Sequence, residues 1–249
     1  MKKAAIIEAR MSSSRLPGKV MALYNEKPMI QIMVERLRGS LLIDDVIVAT
    51  TVSKNDDELC YFLDSQDIPY FRGSEENVLD RVLCTAKYFD VDLIVEVTGD
   101  CPILDPAVVD QSVGYFFYTG ADYVGNTCIT STYPRGQDVK VFTTDTLEDV
   151  SMRTDNPDDQ EHVSLFIYNN RSLYNCKPLP APKFTVNPKT RLTVDYPVDL
   201  DVVLYILEDL GETCSFRQIV DFLDKNPHIL EMNSNLDVEY INDDTRYAE

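Results

Sequence analysis

Positive charge is scarce in this sequence: 23 lysines and arginines stand against 42 aspartates and glutamates, a formal charge of −19 over 249 residues. A nucleic-acid-binding or anionic-membrane surface needs broad basic patches, which such a chain cannot readily assemble. There is no apolar run of 18 residues, and Met1-Lys2-Lys3 leads only into Ala4-Ala5-Ile6-Ile7 before Glu8. Neither a transmembrane helix nor a secretory signal is therefore expected. The six cysteines contain no Cys-x-x-Cys pair and lie in segments that read as core. Reduced thiols and a cytoplasmic location follow as expectations. Only His162 and His228 are present, and neither falls in a recognised pairing with a serine or cysteine, so nothing points to a covalent nucleophile.

What is present is an alternation of strands and helices. Ala4 to Ile7 reads as a first strand, Pro28 to Leu37 as a helix, and 45–51 (Asp-Val-Ile-Val-Ala-Thr-Thr) as a buried parallel strand. A short helix is expected over Asn55 to Asp67, with Asp56 and Asp57 solvated at its start. A strand at Tyr70-Phe71-Arg72, a helix from Asn77 to Phe89, the strand Asp92 to Thr98 and a helix beyond Asp105 continue the pattern. The aromatic cluster Tyr115-Phe116-Phe117-Tyr118 reads as core packing. Short strands are expected within 121–142, a helix from Pro157 to Asn169, and a loop or extended arm over the proline-rich stretch Pro178 to Pro188. A strand at Arg191 to Asp195 precedes helices over Val198 to Leu210 and Phe216 to Asp224. The fold class expected is α/β, a doubly wound, mostly parallel, Rossmann-like sheet. Residues 1–228 form one domain in this reading, and 229–249 an acidic tail.

One stretch runs against the composition. Arg10-Met11-Ser12-Ser13-Ser14-Arg15-Leu16-Pro17-Gly18-Lys19 packs three cations, three hydroxyls and a glycine into ten residues directly behind the first strand. Loops at the carboxyl ends of strands are where ligands bind in open α/β sheets, and these donors can converge on one polyanion such as a triphosphate. Leu-Pro-Gly-Lys alone also suits an ordinary surface turn. A Walker loop is excluded because Ser13 stands six positions before Lys19 and Val20 follows it, and the dinucleotide fingerprint Gly-x-Gly-x-x-Gly is absent from this turn.

Two later turns share a logic with this loop. Thr98-Gly99-Asp100-Cys101-Pro102 and Leu192-Thr193-Val194-Asp195-Tyr196-Pro197 each deliver an aspartate at the end of an apolar run. Two such carboxylates could hold one Mg²⁺ against a triphosphate, although an aspartate before a proline or a helix is also an ordinary turn former or N-cap. Asp199-Leu200-Asp201 matches the metal motif of glycosyltransferases in letters, but it falls within the expected helix, where it reads as solvent-facing.

Taken in order, Ala9-Arg10 through Lys19, Gly99-Asp100-Cys101-Pro102 and Asp195-Tyr196-Pro197-Val198-Asp199-Leu200 resemble the cytidylyltransferases that activate acidic sugars, the CMP-Kdo and CMP-acylneuraminate synthetases. The chain is closer still to the spore coat polysaccharide biosynthesis protein F-like members. This resemblance implies a nucleotidyltransferase that couples CTP to an acidic sugar, with Mg²⁺ held by Asp100 and Asp195. It implies that Ala9, Arg10, Ser12, Ser13, Ser14, Arg15, Lys19 and Gly99 surround the nucleotide phosphates, and that Gly73, Ser74 and Arg81 belong to the base and ribose region. Arg135, Gln137, Asp138 and His162 would serve the acceptor. It further implies a homodimer in which an arm of roughly residues 130–185 approaches the partner's site. A phosphorylated or phosphonate acceptor is the near alternative, and a metal-dependent glycosyltransferase on the same fold the more distant one.

Overall fold

The computed structural model describes residues 1–127, 131–187 and 189–236. Its strands are β1 (Lys3–Glu8), the small hairpin β2 (Leu23–Tyr24) and β3 (Lys27–Pro28), β4 (Asp45–Thr51), β5 (Tyr70–Gly73), β6 (Leu93–Thr98), β7 (Tyr123–Gly125), β8 (Lys140–Thr143) and β9 (Cys176–Pro178). The helices are α1 (Met29–Leu37), α2 (Asp57–Ser65), α3 (Val78–Tyr88), α4 (Pro106–Thr119), α5 (Thr144–Ser151), α6 (Pro157–Glu161), α7 (Leu165–Asn169), α8 (Pro197–Leu210), α9 (Phe216–Lys225) and α10 (Pro227–Met232). No helix among the described residues is long and apolar enough to cross a membrane.

Seven strands form one sheet in the order β5-β4-β1-β6-β8-β7-β9. The first four are parallel, β8 runs antiparallel to both β6 and β7, and β9 is parallel to β7. Successive strand residues point to opposite faces, and both faces are covered. Ala5, Ile7, Val46, Val48, Val95 and Val97 join a core built with α1, α2, α4, α8 and α9. Ala4, Ile6, Ile47, Ala49 and Ile94 face a second core with α3, α5 and α7. Because the chain winds from β1 outward to β4 and β5 and then returns to place β6 on the other side of β1, the strand order reverses between β1 and β6. A crevice opens at the carboxyl ends of strands flanking such a reversal.

Several expectations need correction. Residues 191–195 form no strand; they run as an extended segment whose Leu192 N–H donates to the Arg135 carbonyl at 2.8 Å and whose Val194 N–H donates to the Asp100 carbonyl at 2.7 Å. Leu192 and Val194 are buried in the first core, so the strand-like pattern is satisfied outside the ladder. The helix expected over 157–169 breaks at His162–Val163, where Val163 adopts φ 37°. Of the aromatic cluster only Phe116 is buried, while Phe117 and Tyr118 are 51% and 86% exposed. The expected domain boundary at 228 falls inside α10, whose Ile229 and Leu230 are buried, so the chain is packed at least to Asn233; 237–249 lie outside the described residues. The segment 130–185 divides. Its middle supplies β8, α5, α6, α7 and β9 to the sheet and second core, and the described stretches on either side bury Tyr133, Gln137, Val139 and Leu179.

Candidate active site

The loop after β1 is organised around Met11. Its carbonyl accepts the N–H groups of Ser13 and Gly18, both at 2.9 Å, which closes the loop on itself, and Lys19–Met21 then forms a single 3₁₀ turn. Gly99, which ends β6, lies against this loop. A Cβ there would stand 3.1 Å from both the Ala9 Cβ and the Glu8 carbonyl oxygen. Any larger residue there would push the neighbouring strand end away by a few tenths of an ångström.

That approach brings four predicted residues together. The Lys19 ammonium donates to Asp100 Oδ2 at 3.0 Å and to Asp195 Oδ1 at 2.9 Å, and Arg15 donates to the same Asp195 oxygen at 2.7 Å. The Arg15 guanidinium also lies 5.4 Å over the Tyr196 ring. Thr98 donates its hydroxyl to Asp100. Burial opposes ionisation of Asp100, but Lys19 and the Thr98 hydroxyl outweigh it and hold the carboxyl below its ordinary value. Burial likewise works against the Lys19 charge, and the two aspartates raise its pKa in spite of it.

Behind Asp195 stands a second rank that the sequence did not reveal. Arg191, 2% exposed, donates to Asp195 Oδ2 at 3.1 Å and to both oxygens of Asp199 at 2.9 and 3.1 Å. Asp199 also accepts the N–H groups of Asp195 and Tyr196, each at 3.0 Å, and the Asn233 side chain at 2.9 Å. Asp199 is thus fully buried, contrary to the solvent-facing position expected for it, whereas Asp201 is exposed. The letters Asp-Leu-Asp describe a helix start that orients Asp195, not a metal motif.

The remaining loop residues turn toward β5. Arg10 donates to the Glu75 carbonyl at 3.4 Å and Ser12 to the Glu75 carboxylate at 2.9 Å. Ser13 accepts the Leu16 N–H at 3.4 Å, and Ser14 is exposed. In the turn after β5, Ser74 accepts the Asn77 N–H at 3.0 Å, and buried Arg81 reaches the Ser74 carbonyl beneath Gly73. The region expected for base and ribose therefore adjoins the cationic loop.

The acceptor residues are less concentrated. Gln137 is fully buried, and its amide bonds the Ile103 carbonyl at 3.1 Å and the Asp105 N–H at 3.0 Å, so it braces loops instead of facing a ligand. Gly136, at φ 95°, presses against Leu192, where a Cβ would meet the carbonyl carbon at 2.3 Å. This contact seats Arg135 beside the segment that carries Asp195. Asp138 accepts the Gly136 N–H at 2.6 Å, and burial pushes its pKa up. Its charge is felt at Cys101, next to Asp100. His162 sits where α6 and α7 meet, on elements that pack with α3 in the second core.

Among the described residues no set of three or more His, Cys, Asp or Glu side chains is gathered for a metal. The donor set nevertheless fits a hard divalent cation. Two carboxylates already share one positive charge between them, and Mg²⁺ takes one or two carboxylates and completes its shell with phosphate oxygens and water.

Cations and carboxylates facing each other at the reversal of a doubly wound sheet define a nucleotide-binding α/β protein. The cytidylyltransferase family model matches residues 4–223, and the chain belongs to that family. It is 34% identical to the spore coat polysaccharide biosynthesis protein SpsF of Bacillus subtilis, over 89% of this chain and 94% of that one. An uncharacterized protein of Methanocaldococcus jannaschii is 36% identical over 95% and 96% of the two chains. A cytidylyltransferase structure from Leptospira borgpetersenii superposes with a TM-score of 0.86 at 30% identity, covering 92% and 97%. A CMP-2-keto-3-deoxy-manno-octonic acid synthetase solved with CTP shares the fold at 20% identity, with a TM-score of 0.62 over 84% and 99%.

Proposed function

We propose that this protein transfers the cytidylyl group of CTP to a hydroxyl of an acidic sugar of the 3-deoxy-2-ulosonic or nonulosonic type, releasing pyrophosphate and a CMP-sugar for surface polysaccharide or glycan synthesis. The observation that carries this reading is the Lys19 ammonium held between Asp100 and Asp195 at the end of a loop that also bears Arg10 and Arg15. In such a transfer the acceptor oxygen bonds to the α-phosphorus, the bond to the bridging oxygen of the β-phosphate breaks, and the hydroxyl proton leaves to solvent. Positioning and charge neutralisation supply most of the catalysis.

Arg10, Arg15 and Lys19 bind the β- and γ-phosphates and take up the charge that builds on the departing pyrophosphate, with Ser12, Ser13 and Ser14 as additional donors. Asp100 and Asp195 would hold Mg²⁺, which when bound screens the phosphate oxygens. Arg191 and Asp199 hold Asp195 aimed at Lys19. Arg135 would grip an acceptor carboxylate as a bidentate pair. The spore coat polysaccharide relative and the acidic-sugar synthetase of the same fold support the choice of acceptor class. The protein acts in this reading as a cytoplasmic homodimer.

The test is pyrophosphate release with each of the four nucleoside triphosphates and Mg²⁺, across a panel of ulosonic and nonulosonic acids with phosphorylated and phosphonate acceptors alongside. Turnover with CTP and an acidic sugar is expected. No turnover throughout the panel, together with no CTP-dependent thermal shift, refutes the assignment. Sedimentation as a monomer at micromolar concentration refutes the dimer.

A further inference from the structure

Asp56 stands outside every motif in the sequence and was expected to be a solvated helix start, yet it has no exposed surface. It follows β4 in a 3₁₀ turn, Lys54–Asp56, that leads into α2. A fully buried carboxylate must be satisfied by donors. Here Oδ2 accepts the Thr50 hydroxyl at 3.1 Å, the Thr51 N–H at 3.1 Å and the Thr51 hydroxyl, while Oδ1 accepts the Met11 N–H at 2.7 Å. Three of these donors are local to the turn. The fourth belongs to the residue whose carbonyl closes the cationic loop through Ser13 and Gly18. Met11 is therefore held from both sides.

The turn itself is braced from β5. Arg72 donates to the Thr51 carbonyl at 2.8 Å, to the Ser53 carbonyl at 2.7 Å and to Asp57 at 2.8 Å. Through one carboxylate, the Met11 N–H of the loop is thus tied to a turn that β4 carries and β5 braces. The Arg15 and Lys19 side chains bond the aspartates, and the Arg10 side chain bonds Glu75.

We propose that Asp56 is a positioning residue for the Arg10–Lys19 loop: it does not touch the nucleotide, but by anchoring the Met11 N–H it fixes where the loop donors converge on the triphosphate. The proposal rests on the loop being the triphosphate cradle, so the experiment separates the two ideas. Asp56→Asn keeps the shape but replaces one acceptor oxygen by a donor, leaving a buried N–H or hydroxyl without a partner.

Calorimetric dissociation constants for CTP, CMP and inorganic tripolyphosphate, each with and without Mg²⁺, are compared with the thermal midpoint. CTP and tripolyphosphate are expected to weaken at least about tenfold in Asp56→Asn, equivalent to about 1.4 kcal/mol. CMP, which lacks the β- and γ-phosphates, is expected to change less than about twofold. Thr50→Val, which removes one donor to Oδ2 and so loosens the carboxylate that holds Met11, is expected to give a milder form of the same selective loss and decides the matter where Asp56→Asn does not fold. Equal weakening of CMP and CTP, or unchanged tripolyphosphate affinity in a folded variant, overturns the assignment. A wild-type protein that binds tripolyphosphate but not CTP refutes the cytidylyl reading and leaves Asp56 to be judged on tripolyphosphate. Wild-type protein that binds neither overturns both.

Discussion

Replacing Lys19 by methionine keeps the length of the side chain and removes the charge shared by Asp100 and Asp195. At contacts of 3.0 and 2.9 Å, each ion pair is worth about 5 kcal/mol before desolvation at an effective dielectric of about 20. Most of that attraction is offset by taking three charged groups out of water, and the Lys19 side chain is only 13% exposed. What the variant loses is compensation. Asp195 keeps Arg15 and Arg191, but Asp100 keeps only neutral donors such as the Thr98 hydroxyl among the hydrogen bonds described. Stranding a buried carboxylate in this way costs about 2–4 kcal/mol, below the cost of a wholly uncompensated charge. For a chain of this size the loss corresponds to a fall of roughly 5–15 °C in thermal midpoint.

The pH dependence fixes the cause. Asp100 has a folded pKa below its ordinary 3.8, so its contribution is present above that value and lost as pH falls through the lowered one. Lys19 has a folded pKa above its ordinary 10.5, so its contribution is present below that value and lost as pH rises through the raised one. The gap between wild type and Lys19→Met should therefore be full across neutral pH and close at both extremes. Urea unfolding at several pH values, with Asp100→Asn and the double variant completing a cycle, measures it. A deficit that is the same at pH 3 and pH 7, or is undiminished in the Asp100→Asn background, refutes the reasoning. In the pyrophosphate assay, Lys19→Met should lower kcat by about 10²–10³, as expected for removing a donor to developing charge.

Two further outcomes follow from buried carboxylates. Glu8 lies on the sheet face that carries Glu96 and Lys140, and burial, with the Glu96 charge beside it, pushes its pKa from 4.5 up to about 8. The unfolded chain gives up this proton at lower pH than the folded one, so stability falls as pH rises from 4.5 to about 8. Glu8→Gln should match wild type in thermal midpoint near pH 4.5 and exceed it at pH 9; a constant difference across that range counts against the buried-acid reading. Asp199→Asn should cost about 3–5 kcal/mol and most of the activity, because it leaves Arg191 with a neutral partner and frees Asp195, while Asp201→Asn should stay within about 0.5 kcal/mol. Comparable unfolding midpoints for the two variants would refute the placement of Asp199.

The sheet was legible because its strands are buried on both faces and therefore appear as continuous apolar runs, as in Val46 to Ala49 and Leu93 to Val95. The cationic loop was legible because three cations stand close together in an acidic chain. Asp56, Arg191 and Asp199 were not, since a charged residue beside a helix start looks the same whether it is solvated or buried, and only long-range contacts distinguish the two. Gln137 was misjudged for a related reason. It sits in the Pro134-Arg135-Gly136-Gln137-Asp138 turn that the resemblance assigned to the acceptor, but its amide is used by the backbone of Ile103 and Asp105. The pattern Leu192-Thr193-Val194 looked like a strand because burial alone produces that signature, with or without a ladder.

The peptide hydrogen bond from Val194 to the Asp100 carbonyl joins the two halves of the site across a very long sequence separation. Contacts of that kind form late, after the intervening chain has closed its loops. A growing chain that has made β1, its loop and β6 already owns Arg10, Arg15 and Lys19 but lacks the segment that carries Asp195. Triphosphate affinity is therefore a property of the finished molecule, and its appearance during refolding clocks the docking of the last quarter of the chain onto the first.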